Sequence, residues 1–206
     1  MRQKLTLLLT FIILVSGAFA QKKKKHTEKS TVKKEIVKIP GVKKGTLFGI
    51  SYNLSDFNAP KNFGANSNAK STAFKDMSSG LSVAYWKGIR SKFDFSAKLN
   101  GIFHDYSSIY YGTPGKTELG LELEPSINYH PINDQNLWSP IFTAGVGVGL
   151  YTNHIGAYVP LGVGIQLNAG STTYFFLQGQ YKVSLTPKVV GDNMFYSIGF
   201  AENIGK

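Results

Sequence analysis

The sequence predicts an all-β protein, an eight-stranded antiparallel up-and-down transmembrane β-barrel. Three observations predict it. From Thr46 onward, apolar residues recur at every second position in about eight segments broken by Gly-, Asn- and Ser-rich turns. Strand side chains alternate faces, so each segment has one apolar and one polar side. Two of the polar sides lack the Lys and Glu of a solvated sheet. One reads Thr143, Gly145, Gly147, Gly149 and the next Pro160, Gly162, Gly164, Gln166. Such residues suit a crowded interior. An export signal precedes the segments, and it opens the route to an outer membrane.

That signal is residues 1–20. Arg2 and Lys4 precede an apolar run, Leu5–Val15, too short to span a bilayer that needs about 20 residues. Ala18-Phe19-Ala20 fits the small-residue cleavage pattern, so the mature chain is expected to begin near Gln21. Residues 21–45 carry ten Lys against two Glu and few large apolar groups, a composition expected to be a disordered periplasmic segment. It reads as a solvated linker or as an electrostatic arm for anionic groups such as lipid headgroups. The formal charge of +11 belongs mainly to this segment, since residues 46–206 hold eleven Lys and Arg against ten Asp and Glu. No nucleic-acid partner is expected from it. The absence of cysteine excludes a disulfide scaffold, thiolate metal sites and a thiol nucleophile. Glycine, 22 of 206 residues, is about half as common again as usual, while charged residues, at 17%, are fewer than usual.

The barrel is assigned to residues 46–204. The first strand, 46–54, points Phe48, Ile50, Tyr52 and Leu54 to one face. After the polar segment 55–79, the second strand, 80–86, points Leu81, Val83 and Tyr85 outward. A short turn, 87–92, leads to the third strand, 93–103, with Phe93, Phe95, Ala97, Leu99 and Phe103 outward. The segment 104–117 is read as a loop. The fourth strand, 118–129, is the cleanest copy. Leu119, Leu121, Leu123, Pro125, Ile127 and Tyr129 share one face, while Glu118, Gly120, Glu122, Glu124, Ser126 and Asn128 share the other. The fifth, 141–151, points Phe142, Ala144, Val146, Val148 and Leu150 outward, and a tight turn at 153–156 follows. The sixth, 157–168, points Val159, Leu161, Val163, Ile165 and Leu167 outward. The seventh, 173–185, points Phe175, Leu177, Tyr181 and Val183 outward, and the eighth, 194–201, Met194, Tyr196, Ile198 and Phe200. These lengths match what a tilted strand needs to cross a bilayer. An even count puts both termini on one side, expected to be the periplasm. Unpaired backbone groups are costly in lipid, so the sheet must close. Tyr52, Tyr85, Trp86, Phe93, Phe103, Tyr129, Phe142 and Phe200, near strand ends, together with Trp138 in a turn, read as two aromatic girdles.

Alternation also fits a soluble sheet. A soluble periplasmic β-barrel binding an apolar ligand therefore stays open beside the membrane reading.

The signal, the strand count and the terminal segment Met194-Phe195-Tyr196-Ser197-Ile198-Gly199-Phe200 are similar to those of the small eight-stranded outer-membrane barrels of the OmpA/OmpX type. The sequence departs from them in continuing six residues past Phe200, and the family's peptidoglycan-binding activity is not expected to carry over. The resemblance implies a non-enzymatic, porin-like outer-membrane protein with a structural or surface-interaction role and at most a narrow pore. It implies contact with outer-membrane lipids, and external ligands through the 55–79 and 104–117 loops.

Inside such a barrel the charges Asp94, Lys98, Glu118, Glu122, Glu124 and Lys182 would form a lumen network, because isolated buried charges are expensive. The hairpin of the third and fourth strands sets Lys98 opposite Glu122 or Glu124, according to register. Pairing Gly147 with Gly162 and Gly145 with Gly164 would clear room for the long charged and amide side chains. Pro125 and Pro160 predict local bulges, since proline donates nothing to the ladder. A lipid A-modifying enzyme would need a His with a Ser or carboxylate near the lipid interface. Only His104, beside Asp105, Ser107 and Ser108, has such company; His26, His130 and His154 do not. No metal spacing or nucleotide motif is present, so no catalytic residue or cofactor is assigned.

Overall fold

The computed structural model describes residues 44–59, 77–105, 116–132, 136–169 and 172–205. The export signal, the lysine-rich residues up to 43 and most of the 55–79 and 104–117 segments, Ser107 and Ser108 included, lie outside the described residues. The strands are β1 (Thr46–Asp56), β2 (Ser78–Arg90), β3 (Phe93–Asp105), β4 (Thr117–Tyr129), β5 (Trp138–Gly145), β6 (Gly147–Tyr151), β7 (His154–Asn168), β8 (Thr173–Ser184) and β9 (Asn193–Asn203). All pairings are antiparallel. Consecutive strands pair except β5 and β6, which each pair with both β4 and β7, and β1 pairs with β9 from Leu47↔Asn203 to Asp56↔Met194. The ring is closed. β5 and β6 are two parts of one stave, so the barrel has eight.

Faces follow the alternation. Leu81, Leu99, Leu123, Phe142, Leu161, Leu177 and Ile198 point away from the protein, while Asn53, Ser82, Lys98, Glu122, Glu124, Gln180 and Lys182 are buried. Two small apolar clusters cap the lumen. Leu47, Ala84, Trp86 and Ala201, with Tyr174 and Phe176 against them, lie at the end where β1 begins and β9 ends. Tyr151 and Val190, with Phe57 and Val189, lie at the other.

Several local expectations need correction. β2 runs to Arg90, four residues further than expected, with a register shift between Gly88 and Arg90. Lys87 and Gly88, read as turn residues, continue the ladder. Gly88 has no side chain, and a Cβ there would lie 2.4 Å from the Lys44 carbonyl oxygen, so the chain entering β1 crosses the rim at this point. Trp86, expected in a girdle, is inward and stacks on Phe176 with ring centroids 4.9 Å apart. Trp138 belongs to β5 and is exposed rather than lying in a turn.

The turn after β6 is Thr152–Asn153, with φ of 46° and 65°. Two left-handed residues make the twist-matched two-residue hairpin, and β7 starts at once with His154. This turn fixes the register of the whole stave. Gly147 therefore faces Tyr158, and Gly162 faces Thr143, so the expected Gly147–Gly162 pairing is wrong by four residues.

Pro125 and Pro160 produce no bulge. Pro125 faces Ala97 and Pro160 faces Lys182 in unbroken registers. On their other sides both prolines meet the β5–β6 junction, where Val146 N–H donates to the Pro125 carbonyl at 3.1 Å. Neither proline can return a bond, so the ladder has a gap there instead of an extra residue.

Candidate functional site in the barrel lumen

The lumen is built in three layers. The middle layer arises because β3, β4, β7 and β8 all present their long polar side chains at one level. Lys182 Nζ lies 2.5 Å from Glu122 Oε2 and 3.6 Å from Glu124 Oε2. Lys98 Nζ lies 3.8 Å from Glu124 Oε1 and donates to Gln178 Oε1 at 2.5 Å. The register that pairs Lys98 with Glu124 is the one adopted. Neutral donors complete the two carboxylates. Glu122 accepts from Tyr151 Oη at 2.5 Å, Tyr158 Oη at 3.0 Å and Asn100 Nδ2 at 3.1 Å. Glu124 accepts from Gln180 Nε2 at 2.9 Å. Lys182 also lies over the Phe195 and Tyr158 rings, 3.8 and 4.7 Å from their centroids. Two lysines thus face two glutamates in a buried space. A buried charge is tolerable only when paired and hydrogen-bonded, and here each is.

Glycines make the room. A Cβ on Gly147 would lie 2.2 Å from the Tyr158 ring, one on Gly149 2.7 Å from Tyr151, and one on Gly162 2.6 Å from Gln180. The glycine wall was expected to clear space for charged and amide groups. It does so for Gln180, and elsewhere it admits the two tyrosines that bind Glu122.

Asp94 and Glu118 are not in this network. Asp94 sits in the layer at the end where β1 begins and β9 ends. Its Oδ2 lies 2.8 Å from His130 Nε2 and 3.2 Å from Lys44 Nζ, and Asn128 Nδ2 donates to its Oδ1 at 2.6 Å. Glu118 is at the opposite mouth, where Thr152 Oγ1 donates to it. Lys44, expected in the solvated segment, and His130, expected on the rim, are both drawn inside. His104, expected in an outer loop, belongs to β3. Its ring is fully buried with Phe57 and Tyr151, each 5.4 Å away between centroids.

Gln178 and Gln180 are the amide side chains expected beside the glycine wall, whereas Tyr151, Tyr158 and Asn100 are absent from the expected site. Their signal was available, since the alternation that points Leu150 and Val159 outward points Tyr151 and Tyr158 inward, among inward glycines. A void of about 20 Å³ between Lys98 and Asp94 is lined in part by Trp86, His130 and Phe176. It has room for roughly one water molecule. Chemically the lumen is a charge-balanced plug.

Compared with solved structures, the barrel is similar to the outer membrane protein OprG from Pseudomonas aeruginosa. The TM-score is 0.54 at 12% identity, over 80% of this chain and 98% of that one. The chain has the fold of the small eight-stranded outer-membrane β-barrels. The N-terminal barrel domain of Pseudomonas aeruginosa OprF (TM-score 0.47, 10% identity, 76% of this chain and 96% of that one) is also similar to this barrel. So is Neisserial surface protein A (0.48, 11%, 77% and 96%). No family model matches the chain, and no curated protein matches it in sequence.

Proposed function

We propose that the chain is an integral outer-membrane barrel without enzymatic activity, with a structural or surface-interaction role. One observation supports this most directly, the inversion of polarity across the wall. Leu81 is 63%, Leu177 58% and Ile198 60% exposed on the outside, while Glu124 and Lys182 inside are at most 1% exposed. Soluble proteins keep contiguous exposed apolar patches to a few hundred Å². An apolar band round a closed sheet is what lipid demands. Staves of 11–15 residues, as in β1 and β7, are long enough for a tilted crossing.

In this reading the export signal is cleaved, both termini are periplasmic, and the 55–79 and 104–117 segments carry the external contacts. The filled lumen favours a plug over a pore. A soluble barrel for an apolar ligand would need an apolar cavity, and this interior is polar. The lipid-modifying alternative needs His104 at the lipid interface, whereas its ring is buried inside the wall.

The test is electrophoresis of the detergent-extracted protein in SDS, with and without boiling, alongside cell fractionation. The expected result is an outer-membrane protein whose unboiled band migrates differently from the boiled one. Release by osmotic shock alone, with no mobility change on heating, overturns the reading.

A further inference from the structure

The mouth where β1 begins and β9 ends holds an ammonium group in a set of contacts apart from the Lys98, Lys182, Glu122 and Glu124 network. Lys44 lies outside the strands, yet its side chain is only 4% exposed. Nζ lies 3.2 Å from Asp94 Oδ2 and donates to Gln166 Oε1 at 2.5 Å. It sits over the Tyr174 and Phe176 rings, 5.4 and 5.6 Å from their centroids. A carboxylate, an amide oxygen and two ring faces from three strands converge on one cation. The ring faces favour cations over neutral groups, and the two oxygens accept N–H bonds. Asp94 is held in place by Asn128 and His130, and among the described residues the charged or titratable groups on it are His130 and Lys44. Trp86, stacked on Phe176, and the small void lie directly beside it.

We propose that this mouth is a built binding site for a primary alkylammonium group, filled in cis by Lys44, and that it takes a free alkylamine when the Lys44 side chain is cut back. Lys44 reaches the site only because Gly88 lets its main chain pass over the rim. The site is therefore a socket with a tethered occupant. The inference rests on the closed-barrel reading, and the two fail separately. A barrel without the heat-dependent mobility shift fails that reading, and a barrel with the shift but blind to amines fails this one.

Lys44→Ala removes three carbons and the nitrogen, the equivalent of n-propylammonium. Trp86 is the reporter, in a Trp138→Phe background that removes the only other tryptophan. Titration of the detergent-folded Lys44→Ala barrel with n-propylammonium should give a saturable change in Trp86 fluorescence. The unmodified barrel should give none, and neither should propan-1-ol. Adding Asp94→Asn to Lys44→Ala should weaken the amine response at least about tenfold, as expected for a charged hydrogen-bond partner. No saturable response, or one that Asp94→Asn leaves unchanged, overturns the proposal.

A second measurement needs no change at Lys44. In reductive methylation of the unmodified barrel, followed by mass spectrometry, Lys44 should react at least about tenfold more slowly than the exposed Lys87, and Asp94→Asn should erase most of the difference. Equal rates at Lys44 and Lys87 overturn the socket. If Lys44→Ala does not fold, this protection decides.

Discussion

Lys182 holds two carboxylates and two aromatic rings at once, so its loss is felt further than any other single side chain in the lumen. Lys182→Met leaves Glu122 and Glu124 with Lys98 as their nearest remaining cation. Removing one partner of a buried pair costs about 3–5 kcal/mol. We expect that loss in urea unfolding from lipid vesicles. Lys182→Met with Glu122→Gln should lose less than the two single variants summed, because the paired change leaves fewer uncompensated charges. Much of this was legible at residue level. Alternation puts Lys98, Glu122, Glu124 and Lys182 on inward faces, and charge balance then requires them to meet. Asp94 and Glu118 are inward by the same rule and yet lie at opposite ends, because alternation gives the face of a residue and not its height in the lumen. Lys44 was beyond reach for another reason. A lysine at the end of a lysine-rich run carries no signal that one of ten will be held by a carboxylate.

Among the elements, β4 gives the cleanest test of the lipid-facing surface. Leu123 lies mid-strand and is half exposed, whereas Phe93, on β3, lies at the end of its strand beside Tyr129. Leu123→Arg should cost about 2–4 kcal/mol and Phe93→Arg at most about 1, since the penalty falls with distance from the bilayer centre. Equal costs at the two positions would contradict the assigned depth. Strand existence and facing were readable along the chain, and errors collected at the ends. A β-strand ends where its partner or turn dictates, so β2 outran its apolar pattern once Lys44 passed over Gly88. A turn expected at 153–156 sits instead on the left-handed residues Thr152 and Asn153, which shifts the β6–β7 register by four. Thr carries a β-branch that resists this conformation, so it was a poor sequence signal for it. Pro125 and Pro160 were rightly singled out as ladder breakers, but two prolines flanking one junction concentrate the missing bonds there and spare the register.

At the scale of the whole barrel, the interior determines transport. Three layers fill the bore, and the void between two of them has room for roughly one water molecule. We expect no steady conductance from the purified protein in planar bilayers at neutral pH and moderate salt. Sustained channel currents would show that the layers part in the membrane. The fold class was legible because lipid imposes a simple rule on every stave, while the loops that would name a partner obey no such rule. Closure also has a consequence in time. Leu47 and Asn203 are neighbours in the wall, yet they belong to the first and last strands of the chain. Until β9 arrives, β1 has only β2 beside it and a full row of backbone groups with no strand to meet. An unfinished edge of that kind invites pairing with other chains. The last strand is therefore the event that ends the vulnerable interval of biogenesis, and any factor that escorts this protein must shield β1 for as long as that strand is missing.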